Sequence, residues 1–217
     1  MSLAIFDLDN TLIAGDSDHL WGEFLIERQW VDPVEYRSQN DRFYRDYQNG
    51  SLDIHAYLAF ALAPLRGFEP QELQSFHKEF MQQMIAPIML PKAVALIEDH
   101  RSRGDTLLII TATNRFITEP IARELGIEHL LASEPEVVDG RYTGRATGIP
   151  CFQDGKVIRL HEWLKLTGAA LEGSYFYSDS ANDIPLLEAV SHPVAVDPDP
   201  RLQKYAEARA IPIISLR

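Results

Sequence analysis

Asp7 and Asp9 stand one residue apart, directly after the apolar run Leu3-Ala4-Ile5-Phe6. Such a run reads as a short buried strand, and alternate residues of a strand project to the same side. The two carboxylates therefore leave the strand's carboxyl end together, where open α/β sheets bind their ligands. Like charges held that close repel unless a cation joins them or one takes up a proton. The pair points to metal-assisted chemistry. Two further apolar runs end in polar side chains. Thr106-Leu107-Leu108-Ile109-Ile110 leads into Thr111-Ala112-Thr113-Asn114, and Ser174-Tyr175-Phe176-Tyr177 into Ser178-Asp179-Ser180-Ala181-Asn182-Asp183.

The elements that must position these groups follow from periodicity. From Ser17 to about Ile88 the pattern is helical. Leu20, Trp21, Phe24 and Leu25 share one face of a first helix, and residues 34–47 form a second with an aromatic stripe of Tyr36, Phe43, Tyr44 and Tyr47. Ser51 is the expected cap of a helix over 52–62, and residues 70–85 are expected to form a fourth. An α/β pattern then resumes. A helix over 91–103 is stopped by Gly104, and a strand over 106–110 is followed by a helix ending before Gly126. A short strand is expected at 129–132, and a separate hairpin at 136–144 turns on Asp139-Gly140. Lys156 leads into a helix ending near 166. Further strands are expected at 174–177 and 192–196, with an edge strand at 211–214. This alternation predicts a Rossmann-like, doubly wound and mainly parallel sheet over residues 1–14 and 89–217. Residues 15–88 are expected to be an inserted all-helical domain.

A chain of 217 residues can hold one sizeable core and a smaller second unit. Its net charge of −12 argues against non-specific nucleic-acid binding and against docking on an anionic membrane. Cys151 is the single cysteine, which excludes an internal disulfide. No basic segment followed by an apolar one opens the chain, and no apolar stretch is long enough to span a bilayer. A cytoplasmic protein, monomeric or homodimeric, is expected.

Together with Lys156, these stretches resemble the four motifs of the haloacid dehalogenase (HAD) superfamily, in family order. Asp7-Leu8-Asp9-Asn10-Thr11-Leu12 is similar to its Asp-x-Asp box, Thr111 to its second motif and Lys156 to its third. The run from Ser178 to Asp183 is similar to its acidic box, with Ser178 where many relatives have glycine. The helical block resembles the C1-type cap of the phosphoserine phosphatase branch. The resemblance implies Asp7 as a nucleophile that forms an aspartyl-phosphate, and Asp9 as acid and then base. It implies Mg²⁺ on Asp7, the backbone carbonyl of Asp9 and Asp179, with Asp183 orienting waters or Asp179 from behind. Thr111 and Lys156 complete the catalytic set, holding phosphoryl oxygens and neutralising charge. Thr11, Ala112, Thr113, Asn114 and Asn182 are the expected substrate contacts beside them. Relatives that cleave carbon–halogen bonds lack the second aspartate, so hydrolysis of a small phosphomonoester is expected.

Each assignment has a structural rival. Asp7 and Asp9 could form an acidic turn. Thr111 or Asp179 could cap a helix, with Asp183 favouring its dipole. Lys156 could be a solvated lysine at a turn, and Asn182 could serve a turn. For the whole chain the rivals are a phosphotransferase, which passes the phosphoryl group to an alcohol, and a receiver-like phosphate-binding module.

Phosphoserine-cleaving relatives carry a glutamate nine positions after the nucleophile, which holds the substrate ammonium. That position is Asp16 here, with Asp18 close behind. Either could meet a cationic group, and Asp16, Ser17 or Asp18 could equally cap the helix that carries Trp21. A substrate carboxylate would need a cation, for which Arg28, Arg37, Arg42, Arg45 and Arg66 are available. The aromatic supply (Trp21, Trp30, Phe43, Tyr44, Tyr47) suggests a pocket able to take a ring. Phosphoserine and histidinol phosphate are the expected substrate types. Gly15 and Ala86-Pro87 are the expected hinges of the cap.

Overall fold

The computed structural model describes residues 2–217. Its sheet contains β1 (Leu3–Phe6), β2 (Thr106–Asn114), β3 (His129–Val138), β4 (Arg141–Thr147), β5 (Tyr175–Ser178), β6 (His192–Val196) and β7 (Ile213–Ile214). They lie in the order β4-β3-β2-β1-β5-β6-β7, every pairing being parallel except β3 with β4. β1 and residues 107–110 of β2 are apolar because both faces are covered, whereas the edge strand β4 is polar and has no buried residue. Ala4, Phe6, Leu107 and Ile109 face α5 (Pro91–Ser102) and α6 (Arg115–Glu124). Leu3, Ile5, Leu108 and Ile110 face α7 (Asp154–Thr167), α8 (Ile184–Leu187) and α9 (Pro200–Arg209). The strand order reverses at β1, between β2 and β5, so a crevice opens at its carboxyl end.

Between β1 and α5 run α1 (Ser17–Glu27), α2 (Pro33–Asn49), α3 (Ile54–Leu62) and α4 (Pro70–Phe80). The chain enters and leaves this block side by side: the Ala14 N–H donates to the Ile88 carbonyl at 2.8 Å, and Ile13 bridges Met89. The block shares a core with the sheet. Trp21 packs among Phe24, Phe80 and Phe116, the last from α6. On the outer side β4 reaches the block, pairing Arg141 with Glu69 at 2.6 Å. No helix among the described residues is long and apolar enough to cross a membrane.

Several element boundaries differ from expectation. α3 is capped by Asp53, which accepts the N–H groups of His55 and Ala56, whereas Ser51 turns back to the Asp46 carbonyl. The fourth helix is regular only to Phe80. Residues Met81–Ile85 widen into a π turn, and Ala86–Ile88 tighten into a 3₁₀ turn around Pro87, which has no N–H to continue the ladder. The short strand and the first hairpin arm are one strand, β3, with a register shift between Pro135 and Val137. The edge strand shortens to two residues, and α9 stands before it.

Candidate active site

The carboxyl ends of β1, β2 and β5 and the start of α7 converge on one cluster. Asp7 is 3% exposed and Lys156 only 2%. The Lys156 ammonium donates to Asp7 Oδ1 at 2.9 Å and lies 2.7 and 2.8 Å from the two oxygens of Asp183. Lys156 is thus in the first turn of α7, buried, and not a solvated turn residue. Gly155 permits this placement, since a β-carbon there would overlap the Pro150 carbonyl. Ser178 donates to Asp183 Oδ2 at 2.7 Å and accepts the Ser180 N–H, so it is part of the cluster and not a passive replacement for glycine. The Thr11 hydroxyl donates to Asp179 Oδ1 and accepts the Asp179 N–H, both at 3.1 Å. Asp199, which the sequence reading does not single out, accepts the Ala181 N–H at 2.7 Å and anchors the acidic loop to α9.

Asp9 accepts the Ser17 N–H at 2.6 Å and the Thr113 hydroxyl at 2.8 Å, with the Thr111 hydroxyl 3.5 Å away. Thr111 caps no helix. That task falls to Asn114, which accepts the Ile117 N–H at the start of α6. Asn182 donates to the Tyr47 carbonyl at 3.0 Å and accepts from Gln153, which ties α2 to the acidic loop. Asp16 is the N-cap of α1, accepting the His19 N–H at 2.8 Å.

A cavity opens over Asp7 and Asp9. Asp16, Asp18 and His19 from the start of α1 line it, with Thr111, Ala112 and Thr113 from β2. Its outer wall is Asn40, Phe43, Tyr44, Tyr47, Leu52, Ile54 and Tyr57. Phe43, Tyr44 and Tyr47 are therefore wall residues, while Trp21 and Trp30 belong to the core. Asn114, Asn182 and the five candidate arginines lie outside the lining.

The chain matches the profile of the haloacid dehalogenase-like hydrolases over residues 4–188. It belongs to the haloacid dehalogenase-like hydrolases. Within that family it is an enzyme of the phosphatase type. A protein named histidinol-phosphatase from Neisseria meningitidis is 47% identical, over 100% of this chain and 99% of that one. Phosphoserine phosphatase SerB1 of Mycobacterium tuberculosis is 32% identical, over 99% of this chain and 70% of its own. The structure of a Bordetella pertussis Tohama I protein of unknown function matches with a TM-score of 0.93 and 45% identity, covering 100% and 99% of the two chains. A phospho-aspartyl intermediate analogue of phosphoserine phosphatase matches in fold, with a TM-score of 0.72 at 20% identity over 100% and 93% of the chains.

Phosphatases of this family generally use Mg²⁺. Among the described residues, no three His, Cys, Asp or Glu converge as a ready metal cage. The implied set needs only two carboxylates, a backbone carbonyl and waters, and the donors here are all oxygens. Two carboxylates, Asp7 and Asp183, share the Lys156 ammonium, and Asp179 takes no part in that ion pair. Burial, Asp7 and Asp183 push Asp179 well above the usual carboxylate range. That excess of buried negative charge on hard donors suits a divalent cation.

Burial also lifts Asp7 to about 7 against the pull of Lys156, and Asp9 to about 6 with the help of Asp16. Burial favours a neutral Lys156, but Asp183 and Asp7 outweigh it and hold the ammonium above the ordinary lysine range. The folded chain therefore keeps carboxyl protons that the unfolded chain releases near pH 4, so stability falls as pH rises toward 8. Glu134 has the opposite sign. Against burial, Arg115 and Arg159 hold it below its ordinary value, and its contribution is lost on acidification. Metal-free protein is expected to be most stable near about pH 5. Thermal melts in EDTA at pH 4, 5 and 8 check this, and a melting temperature that rises steadily to pH 8 would contradict it.

Proposed function

We propose that this hydrolase cleaves the phosphate ester of histidinol phosphate, an amino alcohol with a ring, through a phosphoryl group carried on Asp7. The observation that supports it most is the cavity lining. Its carboxylates, Asp7, Asp9, Asp16 and Asp18, stand beside aromatic side chains, with no lysine or arginine among the lining residues. An ammonium and a ring suit such walls, whereas the carboxylate of phosphoserine would find four carboxylates and no lysine or arginine there. Of the candidate arginines, Arg28 is engaged with Glu79 and Arg37 with Glu23. The name of the Neisseria meningitidis relative agrees with this reading.

In the proposed reaction a carboxylate oxygen of Asp7 attacks phosphorus, and the bond from phosphorus to the alcohol oxygen breaks. Asp9 gives its proton to that departing oxygen. Burial places Asp9 near 6, which lets it hold a proton and then release it close to neutral pH. Asp9 next takes a proton from water, whose oxygen attacks phosphorus and frees Asp7 and inorganic phosphate. Lys156 stays charged between Asp7 and Asp183 and offsets the negative charge of the phosphoryl group. Mg²⁺, held by Asp7, Asp179 and the Asp9 carbonyl with Asp183 behind them, would supply charge neutralisation at the phosphoryl oxygens. Thr111 and Thr113 orient Asp9, and Thr11 fixes Asp179. Residues 15–88 serve as the cap that closes over the substrate, with residues 1–14 and 89–217 as the catalytic core and Gly15 and Ala86-Pro87, beside the paired Ile13 and Met89, as its hinges.

Phosphate release with and without Mg²⁺ from histidinol phosphate, phosphoserine, a sugar phosphate and a nucleotide tests the reading. Metal-dependent turnover is expected, with kcat/KM for histidinol phosphate at least about tenfold above phosphoserine, since one mismatched charge in a closed site costs more than 1.4 kcal/mol. Equal or better cleavage of phosphoserine would overturn the substrate assignment.

A further inference from the structure

His19 lines the cavity over Asp7 and Asp9, on the wall supplied by the inserted helices. Its two ring nitrogens are differently placed. The amide nitrogen of Asn40 lies 3.1 Å from Nδ1 and donates to the His19 backbone carbonyl, also at 3.1 Å. A carbonyl oxygen only accepts, so the NH₂ end of the Asn40 amide is the end that faces this corner. The same NH₂ meets Nδ1, and Nδ1 must therefore accept. The ring proton is left on Nε2. Among the described residues nothing accepts from Nε2, and it is not one of the buried atoms without a partner. His19 thus carries one open N–H, on a ring whose tautomer the protein has set.

The ring is held from two sides. Asn40 stands on α2 and is 3% exposed. It reaches α1 because residue 22 is glycine, where a β-carbon would overlap the amide. Tyr44, one turn further along α2, lies against the His19 ring, with centroids 5.0 Å apart and planes inclined by 36°. Joining α1 to α2 needs none of this. The bond from Asn40 to the His19 carbonyl would tie the helices by itself, and an apolar side chain would fill the space beside Tyr44. Only a histidine adds a single N–H of fixed tautomer on the cavity wall. Of the substrate groups proposed above, one can use it. The phosphoryl group is met by Asp7 and Lys156 at the strand ends, and an ammonium has no lone pair to accept with. The bare nitrogen of a neutral imidazole accepts one hydrogen bond.

We propose that His19 is the specificity-determining residue for the ring of the substrate: its Nε2–H donates to the bare nitrogen of a neutral imidazole, and Asn40 is the positioning residue that fixes the donor tautomer. The proposal rests on the reading of the chain as a phosphatase for histidinol phosphate and adds the group that tells imidazole from other rings. Phe43, Tyr44 and Tyr57 on the same wall offer faces that suit any aromatic ring, whereas the hydrogen bond reads the nitrogen. His19 touches substrate but takes no part in bond making or breaking.

The test compares histidinol phosphate with its pyrrole analogue, in which C–H replaces the bare ring nitrogen and the ring N–H is kept. Assays run at pH 8, where an imidazole of ordinary value, about 6.5, is neutral. Wild type is expected to favour the imidazole ester about tenfold in kcat/KM, mainly through KM. His19→Phe is expected to bring the two esters within about twofold of each other. His19→Gln, whose amide N–H stands in for Nε2–H, is expected to keep most of the preference. Nitrogen-15 spectra read the tautomer without turnover. The wild-type His19 ring, identified by its absence in His19→Gln, is expected to carry its proton on Nε2, and Asn40→Leu is expected to show both tautomers. A proton on Nδ1 in wild type, or a preference that survives His19→Phe, overturns the proposal. So do equal losses on both esters, which would put the N–H on the phosphate they share. If neither ester is cleaved, the substrate reading fails separately, and free imidazole and free pyrrole decide the subsite. Imidazole alone moving the His19 ring signals sustains it, whereas both or neither moving them overturns it.

Discussion

Asp7→Asn is expected to lose at least about 10⁴-fold in kcat on any phosphomonoester the wild type cleaves, while the chain remains folded. The substitution keeps the size of the side chain and replaces a nucleophilic carboxylate oxygen with an amide that cannot carry a phosphoryl group. It changes little else. The backbone N–H of residue 7 still donates to the Tyr177 carbonyl, and Lys156 still has both oxygens of Asp183. The stability cost should be small, because burial already lifts the Asp7 carboxyl toward 7 and folding gains little from its charge. Acid quenching during turnover of a radiolabelled ester should trap phosphate on wild-type protein and none on the variant. A variant that retains activity within tenfold of wild type, with the label still trapped, would falsify the nucleophile assignment.

The carboxylate cluster was legible in the sequence because it is built at strand ends. A four-residue apolar run such as Leu3–Phe6 leaves few alternatives to a buried strand, and the period of two then puts Asp7 and Asp9 on one side. Asp179 follows by the same reasoning just after β5, whereas β2 runs on past Thr111 to Asn114 and does not stop at the expected residue 110. The cavity wall was only half legible. His19, Asn40 and Tyr57 come from three helices, α1, α2 and α3, and meet only through tertiary packing that no local pattern encodes. The one local trace is Gly22, a glycine inside a helix that makes room for Asn40. Asn114 and Asn182 show the opposite limit. Their types and positions fit phosphate contacts, yet their side chains are committed to a helix cap and to the Tyr47 carbonyl.

Boundaries failed where two residues offered the same chemistry. Ser51 and Asp53 are both good N-caps, and local sequence does not rank them. α3 starts after Asp53, placing Leu58 and Leu62 in the core. α9 presents only Leu202 and Ala206 as buried residues, too thin a stripe for periodicity to declare a helix. Its start is nonetheless written in Asp199-Pro200, a capping carboxylate followed by proline at the first helical position. The same Asp199 also holds the acidic loop through the Ala181 N–H, so a fold signal and a site signal coincide in one residue.

Lys156→Met is expected to destabilise the metal-free protein by about 3–5 kcal/mol at pH 8, the cost of leaving a buried charge without its partner. The thioether fills the space of the lysine stem but leaves Asp7 facing Asp183 with no cation between them, 3% and 2% exposed. The deficit should shrink on acidification. Without the ammonium, carboxylates in this cluster bind protons more tightly in the folded chain than in the unfolded one. Stability of the variant must then fall as pH rises from about 5 to 8, and more steeply than in wild type. Millimolar Mg²⁺ should recover part of the loss if the same carboxylates hold it, since a ligand that binds only the folded state stabilises it by mass action. Lys156→Arg separates charge from shape. It keeps the positive charge, yet its planar fork does not reproduce an ammonium 2.9 Å from Asp7 and 2.7 Å from Asp183. It should therefore remain folded while losing about 10²–10³-fold in kcat. Urea unfolding at pH 5.5 and 8, with and without Mg²⁺, beside steady-state rates for the arginine variant, reads all of these effects. A methionine variant as stable as wild type at pH 8 in EDTA would mean that Lys156 does not balance the cluster. The buried charge that favours a divalent cation would then reside on Asp179 alone.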